Sequence, residues 1–323
     1  MKALQIDRTG SLDALALRDL ADPQAAGGDA IVRLQAAGVN PSDIGIVLGR
    51  FPQLTLPRVL GRDFAGEIVA GPKELVGKPV WGTGGGELGL TRDGAHAQFL
   101  AMPVNTLASR PQHLSVEGAA AIGTPVLTAW SAVSDLAQTQ AGEWVIVSGA
   151  AGSVGITAVQ IVKALGAHPI ALVLSTDEVS DLQKVGVEAI VRSDKDDLAA
   201  VTRDLTAGKG ADVALNAVGA PIYAALVDAL AKRGRMVIFS AAAGKDVSLD
   251  LFAFYRKRLT FYGLDTAALT LEDVASVLAR ANPYVESGAI TAPPIAERYP
   301  LDRAPEAYAR VSSGARGKVL ITF

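Results

Sequence analysis

The spacing of apolar positions changes partway along the chain. Up to about residue 115 they form short extended runs, AIVRLQAAGVN, VLGRDFAGEIVAG, KPVWGTG and HAQFLAMP, separated by Gly, Pro and Asp. That punctuation predicts a β-rich unit. From Ser115 the pattern turns helical, with Ser115 as N-cap and Glu117 near the positive end of the helix dipole. From Glu143 onward strands and helices alternate, with strands predicted over 143–148, 168–174, 188–191, 211–215, 234–239 and 258–263. This rhythm predicts an α/β unit built on a doubly wound parallel sheet. A last helix is predicted over 301–313 and a last strand over 318–323, after Pro293, Pro294 and Pro300. The chain is expected to return there to its first unit. The expected domains are therefore 1–115 with 288–323, and 116–287.

The most informative stretch is Trp144 to Ala167, WVIVSGAAGSVGITAVQIVKALGA. Val145, Ile146 and Val147 read as a buried strand, and Ile156, Val159, Gln160, Val162, Lys163 and Ala164 have helical spacing. Ala150, Gly152 and Gly155 fill the slots of G-x-G-x-x-G, with alanine at the first. In this motif the first slot makes a turn, the second lets backbone approach a pyrophosphate, and the third lets helix pack closely on strand. Unpaired N–H groups of the helix start, at Ser153 and Val154, then face the anion. A second buried strand, HPIALVL, follows at βαβ spacing, so the motif is read as a dinucleotide site.

A chain of 323 residues accommodates two domains. Half of it is apolar, but no apolar run is long enough to cross a bilayer. The start, MKALQIDRTG, meets Asp7 and Arg8 before any apolar core forms, so it predicts a first strand rather than a signal peptide. A soluble, cytoplasmic protein is expected. The chain has no cysteine, which excludes disulfides and thiolate zinc sites, and His96, His113 and His168 are its only histidines. No metal site is expected. A net charge of −3 with interspersed signs offers no field for nucleic acid or an anionic membrane. The basic run Arg256, Lys257, Arg258 reads as a solvated helix end.

GVNPSD, GRDFAG, GTPVLTAW, GAAGSVG, ALNAVG and GKVLI occur in an order and spacing that resemble the medium-chain dehydrogenase/reductases, nearest their zinc-free quinone oxidoreductase branch. The resemblance implies a Rossmann domain with a doubly wound parallel sheet, plus a β-rich GroES-like domain. It implies hydride transfer from NADPH, with NADH possible, to a small-molecule quinone or enone, in a homodimer. Where zinc-using relatives carry their ligands, this chain has Asn40, Arg62 and Thr124. Losing the Lewis acid removes the usual stabilisation of an alkoxide and disfavours alcohol oxidation.

The same resemblance assigns Asn40, Ser42 and Thr128 to the catalytic end. Asn40 would donate a hydrogen bond to a carbonyl oxygen, whereas Ser42 is either a relay hydroxyl or part of a turn. Thr128 would line the nicotinamide end. Cofactor contacts are implied at Ala150, Gly152, Ser153, Val154, Gly155, Ser175, Thr176, Asn216, Val218, Phe239 and Lys318. Relatives often carry a tyrosine where this chain has Phe51, so the expected proton donor is missing; Phe51, with Phe252 or Tyr255, would wall a flat substrate. His96 reads as a strand-edge residue, and Asp43 and Asp63 as ion-pair or turn residues with Arg62 as a partner. The second strand of the dinucleotide unit ends in Ser175 and Thr176, with Asp177 next. Two hydroxyls without an acid at the strand end favour NADPH, although Asp177 could fold back onto the ribose. An enoyl reductase and a cofactor-binding protein with little turnover remain as alternatives.

Overall fold

The computed structural model describes every residue except 188. Its contacts divide the chain into two units, Met1–Leu127 with Thr266–Ser287 and Thr291–Phe323, and Thr128–Asp265 with Gly288–Ile290.

The first unit is β-rich. Its strands begin with β1 (Lys2–Ile6), β2 (Ala16–Asp19), β3 (Asp29–Val39), β4 (Arg58–Val59), β5 (Asp63–Ala70), β6 (Pro79–Gly82), β7 (Phe99–Pro103) and β8 (Ala108–Ser109). Strands β2, β1 and β4 form a small antiparallel sheet, while β3 is central to a larger one and pairs with β5 and β7. Helix α1 (Pro41–Val47) leaves the end of β3, started by Asn40 as N-cap and by Pro41, whose fixed φ suits the first helical position. Helix α2 (Val116–Trp130) is capped by Ser115, whose hydroxyl accepts the Gly118 N–H at 3.0 Å.

The second unit alternates as predicted: β9 (Trp144–Ser148), α3 (Ser153–Ala164), β10 (His168–Val173), α4 (Ser180–Lys184), β11 (Ala189–Arg192), α5 (Leu198–Leu205), β12 (Ala211–Asn216), α6 (Ala220–Ala229), β13 (Leu230–Ile238), α7 (Leu251–Lys257) and β14 (Thr260–Gly263). The predicted strand 188–191 is seen from Ala189, and its residue 188 lies outside the described residues. The sheet order is β11-β10-β9-β12-β13-β14 and every pairing is parallel. This is the doubly wound order, which reverses beside β9 and there opens the carboxyl ends of the strands to a ligand. Ile146, Ile170, Leu172, Ala214 and Met236 from the strands pack with Leu226 and Leu198 of the helices. The basic run at the end of α7 does more than meet solvent. Lys257 donates to the carbonyls of Val227, Asp228 and Leu230, each at 2.9 Å, and so satisfies acceptors at the end of α6.

The chain then returns to the first unit through α8 (Leu271–Glu286), β15 (Ile295–Pro300), α9 (Ala304–Ser312) and β16 (Lys318–Thr322). Strand β16 runs parallel to β15 and antiparallel to β3, so the expected return is seen. The domain limits differ from 1–115 with 288–323 and 116–287. Residues 116–127 and Thr266–Ser287 pack with the first unit. Leu271 of α8 is buried among Val32, Leu34, Phe64 and Met102, and its N–H donates to the Glu87 carboxylate at 2.9 Å. Helical periodicity alone does not say which core receives the helix.

Candidate active site

The first unit gathers a set of buried polar groups at the junction of β3, α1, β5, α2 and β16. Asp63, the first residue of β5, takes five donors on one carboxylate. Its Oδ1 accepts from Thr83 Oγ1 (2.6 Å), Thr124 Oγ1 (2.6 Å) and the Thr124 N–H (2.8 Å). Its Oδ2 accepts from Lys318 Nζ (2.7 Å) and Asn40 Nδ2 (3.0 Å). Lys318 also donates to Asn40 Oδ1 at 2.5 Å, which fixes the orientation of that amide and closes a triangle. All of these side chains are buried. Burial alone would raise the Asp63 carboxyl, but the Lys318 ammonium and the hydroxyl donors hold it below the usual carboxylate range.

A second buried pair adjoins the first. Arg62 Nε donates to Asp43 Oδ1 at 3.0 Å, and Arg62 Nη2 donates to the Ser42 hydroxyl oxygen. Asp43 Oδ2 in turn accepts the Asn40 N–H at 2.8 Å. Asn40, Ser42 and Lys318, far apart in sequence, are thus brought together. The resemblance assigns Lys318 to cofactor binding, but its ammonium is buried and spent on Asn40 and Asp63. A cation so committed holds the amide in place rather than reaching a phosphate. Asn40 keeps one N–H beyond its bond to Asp63, and Ser42 keeps its O–H.

His96 lies fully buried. Its Nε2 faces the Gly38 carbonyl at 3.2 Å, which can only accept, so Nδ1 accepts from the Tyr308 hydroxyl at 3.0 Å. Burial lowers the imidazole's pKa and raises the Tyr308 phenol well above its usual value. Both are neutral structural groups, and Tyr308 is one that local sequence pattern did not reveal.

The zinc-ligand positions carry Asn40, Arg62 and Thr124, each already bound within this network. Among the described residues, no group of three or more His, Cys, Asp or Glu is arranged to hold a metal. An amide, a guanidinium and a hydroxyl that already bridges to Asp63 do not make a zinc donor set.

The glycine loop of the second unit does fit a dinucleotide. The turn is made at Gly149, with φ +60°, which leaves Ala150 free to be an ordinary buried residue where the motif usually has glycine. This corrects the assignment of the turn to the first slot. A Cβ on Gly155 would lie 2.2 Å from the Gly149 carbonyl oxygen, so the loop packs tightly under α3. A Cβ on Gly152 would meet only that oxygen, at 3.3 Å, and otherwise enter space that protein atoms leave open. Gly152 caps α3 without a side-chain hydrogen bond. The N–H groups of Ser153 and Val154 therefore lie in the turn that presents donors to an anion. Val218 lies near the loop, its Cγ2 3.9 Å from a Cβ built on Gly149. Asn216 serves the neighbouring turn: its Oδ1 accepts from the Val218 and Gly219 N–H groups, and its carbonyl accepts the Phe239 N–H. It shapes the sheet end around Val218 and Phe239.

At the end of β10 an acid is present after all. Asp194, beyond β11, accepts the Ser175 N–H at 2.8 Å and its hydroxyl at 2.5 Å. Asp177 accepts the Leu174 N–H at 2.7 Å, bracing the turn that carries exposed Thr176. The expectation that no carboxylate reaches this strand end is corrected, because the acid comes from the next strand. Thr128 is buried one turn beyond Thr124 on α2. Phe51 is half-buried, its Cε2 3.2 Å from a Cβ built on Gly45 of α1. Tyr255 is exposed on α7, edge-on to exposed Phe252 at 5.4 Å.

The family model described as alcohol dehydrogenase GroES-like domain matches residues 26–112, and the zinc-binding dehydrogenase model matches residues 153–281. A zinc-type alcohol dehydrogenase-like protein of Schizosaccharomyces pombe is 30% identical over 100% of this chain and 97% of its own length. A mycocerosic acid synthase-like polyketide synthase of Mycolicibacterium smegmatis is 30% identical over 98% of this chain, which spans only 15% of that protein. Among solved structures, an NAD-dependent alcohol dehydrogenase superposes with a TM-score of 0.90 at 30% identity, over 100% of both chains. A quinone oxidoreductase of Pseudomonas syringae pv. tomato gives 0.85 at 26% identity, over 100% of this chain and 99% of its own.

The Lys318–Asp63 pair makes a prediction with a definite pH sign. Lys318→Met should destabilise the protein at pH 7 by about 3–5 kcal/mol, because it leaves a buried carboxylate without its cation. With the cation gone, the folded Asp63 pKa rises above the unfolded value near 3.9. The penalty is then small below about pH 4 and grows toward neutrality. Wild type behaves oppositely, losing this contribution only as pH falls below about 4 and through the depressed folded pKa. Urea denaturation at pH 4 and pH 7 checks both, and Asp63→Asn in the Lys318→Met background should recover part of the loss.

Proposed function

We propose, since the chain belongs to the medium-chain dehydrogenase/reductase superfamily, that this oxidoreductase transfers a hydride from a reduced nicotinamide dinucleotide to a quinone without zinc. The observation that carries this reading is the locked network of Asn40, Asp63, Thr124 and Lys318, which uses the positions of the metal ligands for internal hydrogen bonds. Similarity to a quinone oxidoreductase supports the acceptor class.

A reduced nicotinamide dinucleotide held by its pyrophosphate at the glycine loop would supply the hydride. The protein's part is to hold and orient. Gly152 and the start of α3 would receive the pyrophosphate, and Val218 and Phe239 lie at the adjoining ends of the parallel strands. In the first unit, Asn40 offers one fixed N–H to an acceptor oxygen, its amide already oriented by Lys318 and Asp63. No phenol stands at Phe51. A quinone suits that absence, because its reduced product is a delocalised anion that solvent can protonate. The small-molecule acceptor, a homodimeric assembly and a cytoplasmic location belong to the same proposal. Among the described residues, no helix is long and apolar enough to cross a membrane.

One observation favours a second reading, reduction of an activated alkene. Arg62 donates to the Ser42 oxygen, and a hydroxyl whose oxygen receives a cationic donor gives up its own proton more readily. Ser42 would then protonate the carbon beside the new C–H bond.

Two experiments test these assignments. Gly152→Val should leave the fold intact, given the open space around that position, and should weaken dinucleotide binding at least about 100-fold, since the branched side chain fills the pyrophosphate's place. Fluorescence titration with circular dichroism as control checks it, and unchanged affinity in a folded variant refutes the loop assignment. Steady-state oxidation of reduced nicotinamide against quinones, enones and enoyl thioesters then ranks the acceptors. Phe51→Tyr should change quinone turnover little, whereas alkene reduction should rise by roughly 100-fold if a positioned acid limits it. Efficient wild-type enone turnover that collapses in Ser42→Ala would replace the quinone reading with the second one. No turnover of any acceptor despite tight cofactor binding would leave a binding protein.

A further inference from the structure

The end of β10 holds a feature that two hydroxyls in sequence do not suggest. Ser175 is gripped at both its N–H and its hydroxyl by one carboxylate, that of Asp194. Each oxygen takes one bond from Ser175, and the carboxylate also takes one from its own backbone N–H, which still leaves acceptor capacity on this exposed group. The Ser175 proton, by contrast, is already given away. Between them, Ser175 and Asp194 therefore offer acceptors rather than the Ser175 donor.

Charge in the neighbourhood points the same way. Asp177 braces the turn through the Leu174 N–H, and Glu178 accepts the N–H groups of Val179 and Ser180, each at 2.9 Å. The hydrogen bond from Ser175 holds the Asp194 carboxyl below its usual value, so it is ionised at neutral pH. Arg192 is the cation that would argue for a phosphate. Its Nη1 is tied to the carbonyls of Leu174 (2.7 Å) and Asp177 (3.1 Å), beneath the same turn. Lys195 adds a second cation that acts on Asp194, so two cations share this segment with the carboxylates of Asp177, Glu178 and Asp194.

We infer that Asp194 is the residue that sets cofactor choice, accepting hydrogen bonds from the adenosine ribose hydroxyls and repelling a 2′-phosphate, so that this chain prefers NADH to NADPH. The inference rests on dinucleotide binding at the glycine loop. It replaces the NADPH preference expected from Ser175 and Thr176. A carboxylate in that role ordinarily ends the second strand of such a sheet. Here it is delivered by the residue two beyond the third strand and held at the second by Ser175.

Isothermal titration of wild type, Asp194→Asn, Asp194→Glu and Ser175→Ala with NADH and NADPH tests it, with displacement by 5′-AMP and 2′,5′-ADP as probes of the adenosine half alone. Wild type should bind NADH at least about ten-fold more tightly than NADPH. Asp194→Asn removes the charge and should erase that ratio, mainly by strengthening NADPH and 2′,5′-ADP, while Asp194→Glu should keep a preference for NADH. Ser175→Ala frees the carboxylate to move and should reduce the ratio without inverting it. A wild type that binds NADPH as tightly as NADH overturns the inference, as does an unchanged ratio in a folded Asp194→Asn protein. If wild type binds neither dinucleotide, the parent assignment of the glycine loop fails, and this inference with it.

Discussion

The buried ion pair between Lys318 and Asp63 is the contact on which the first unit depends. It ties the last strand of the chain to the start of β5, and through Asn40, Thr83 and Thr124 it reaches the end of β3 and helix α2. Two opposite charges withdrawn from water are costly unless each is fully matched. Here the carboxylate has five donors and the ammonium has two acceptors. The arrangement therefore specifies one geometry rather than merely adding stability, and the polar side chains that it fixes include Asn40 and Thr124, two of the positions to which the resemblance assigns zinc ligands in relatives. The same contact that completes the fold also sets which donors the proposed site would offer.

Orientation is what this network supplies. An amide left free can flip and offer either its oxygen or its nitrogen. With Lys318 on Oδ1 and Asp63 on Nδ2, the Asn40 amide is held in one orientation, and its second N–H is left for an acceptor oxygen. Arg62 and Asp43 support the adjacent turn in a similar way. The second unit works on a separate principle. Its parallel strands end together, and the turn at Gly149 leaves open space beside the start of α3, where backbone donors and the helix dipole favour an anion.

Much of this was legible along the chain. The glycine loop, the alternation of strand and helix, the return of the last strand and the replacement of zinc ligands by Asn40, Arg62 and Thr124 are all local patterns or matched motifs. The rest involves partners that no period can pair. Lys318 finds Asn40 across 278 residues, and Tyr308 finds His96 across 212. Asp194 finds Ser175 across only 19, but it does so sideways between parallel strands, after a crossover helix has returned the chain. The usual pattern puts the acid at the end of the second strand itself, where this chain has Ser175. The packing of α8 is hidden for a related reason: its apolar face is plain, but the core it covers is settled by Leu271 joining Phe64 and Met102.

The central claim is that hydride transfer here proceeds with internal hydrogen bonds where relatives use a metal. The most direct measurement is turnover with a quinone by protein whose zinc content has been fixed by elemental analysis, before and after exhaustive chelation. The account predicts no stoichiometric zinc in active protein and the same turnover after chelation. Activity that tracks one zinc per chain, lost on chelation and restored by adding the metal, would contradict it.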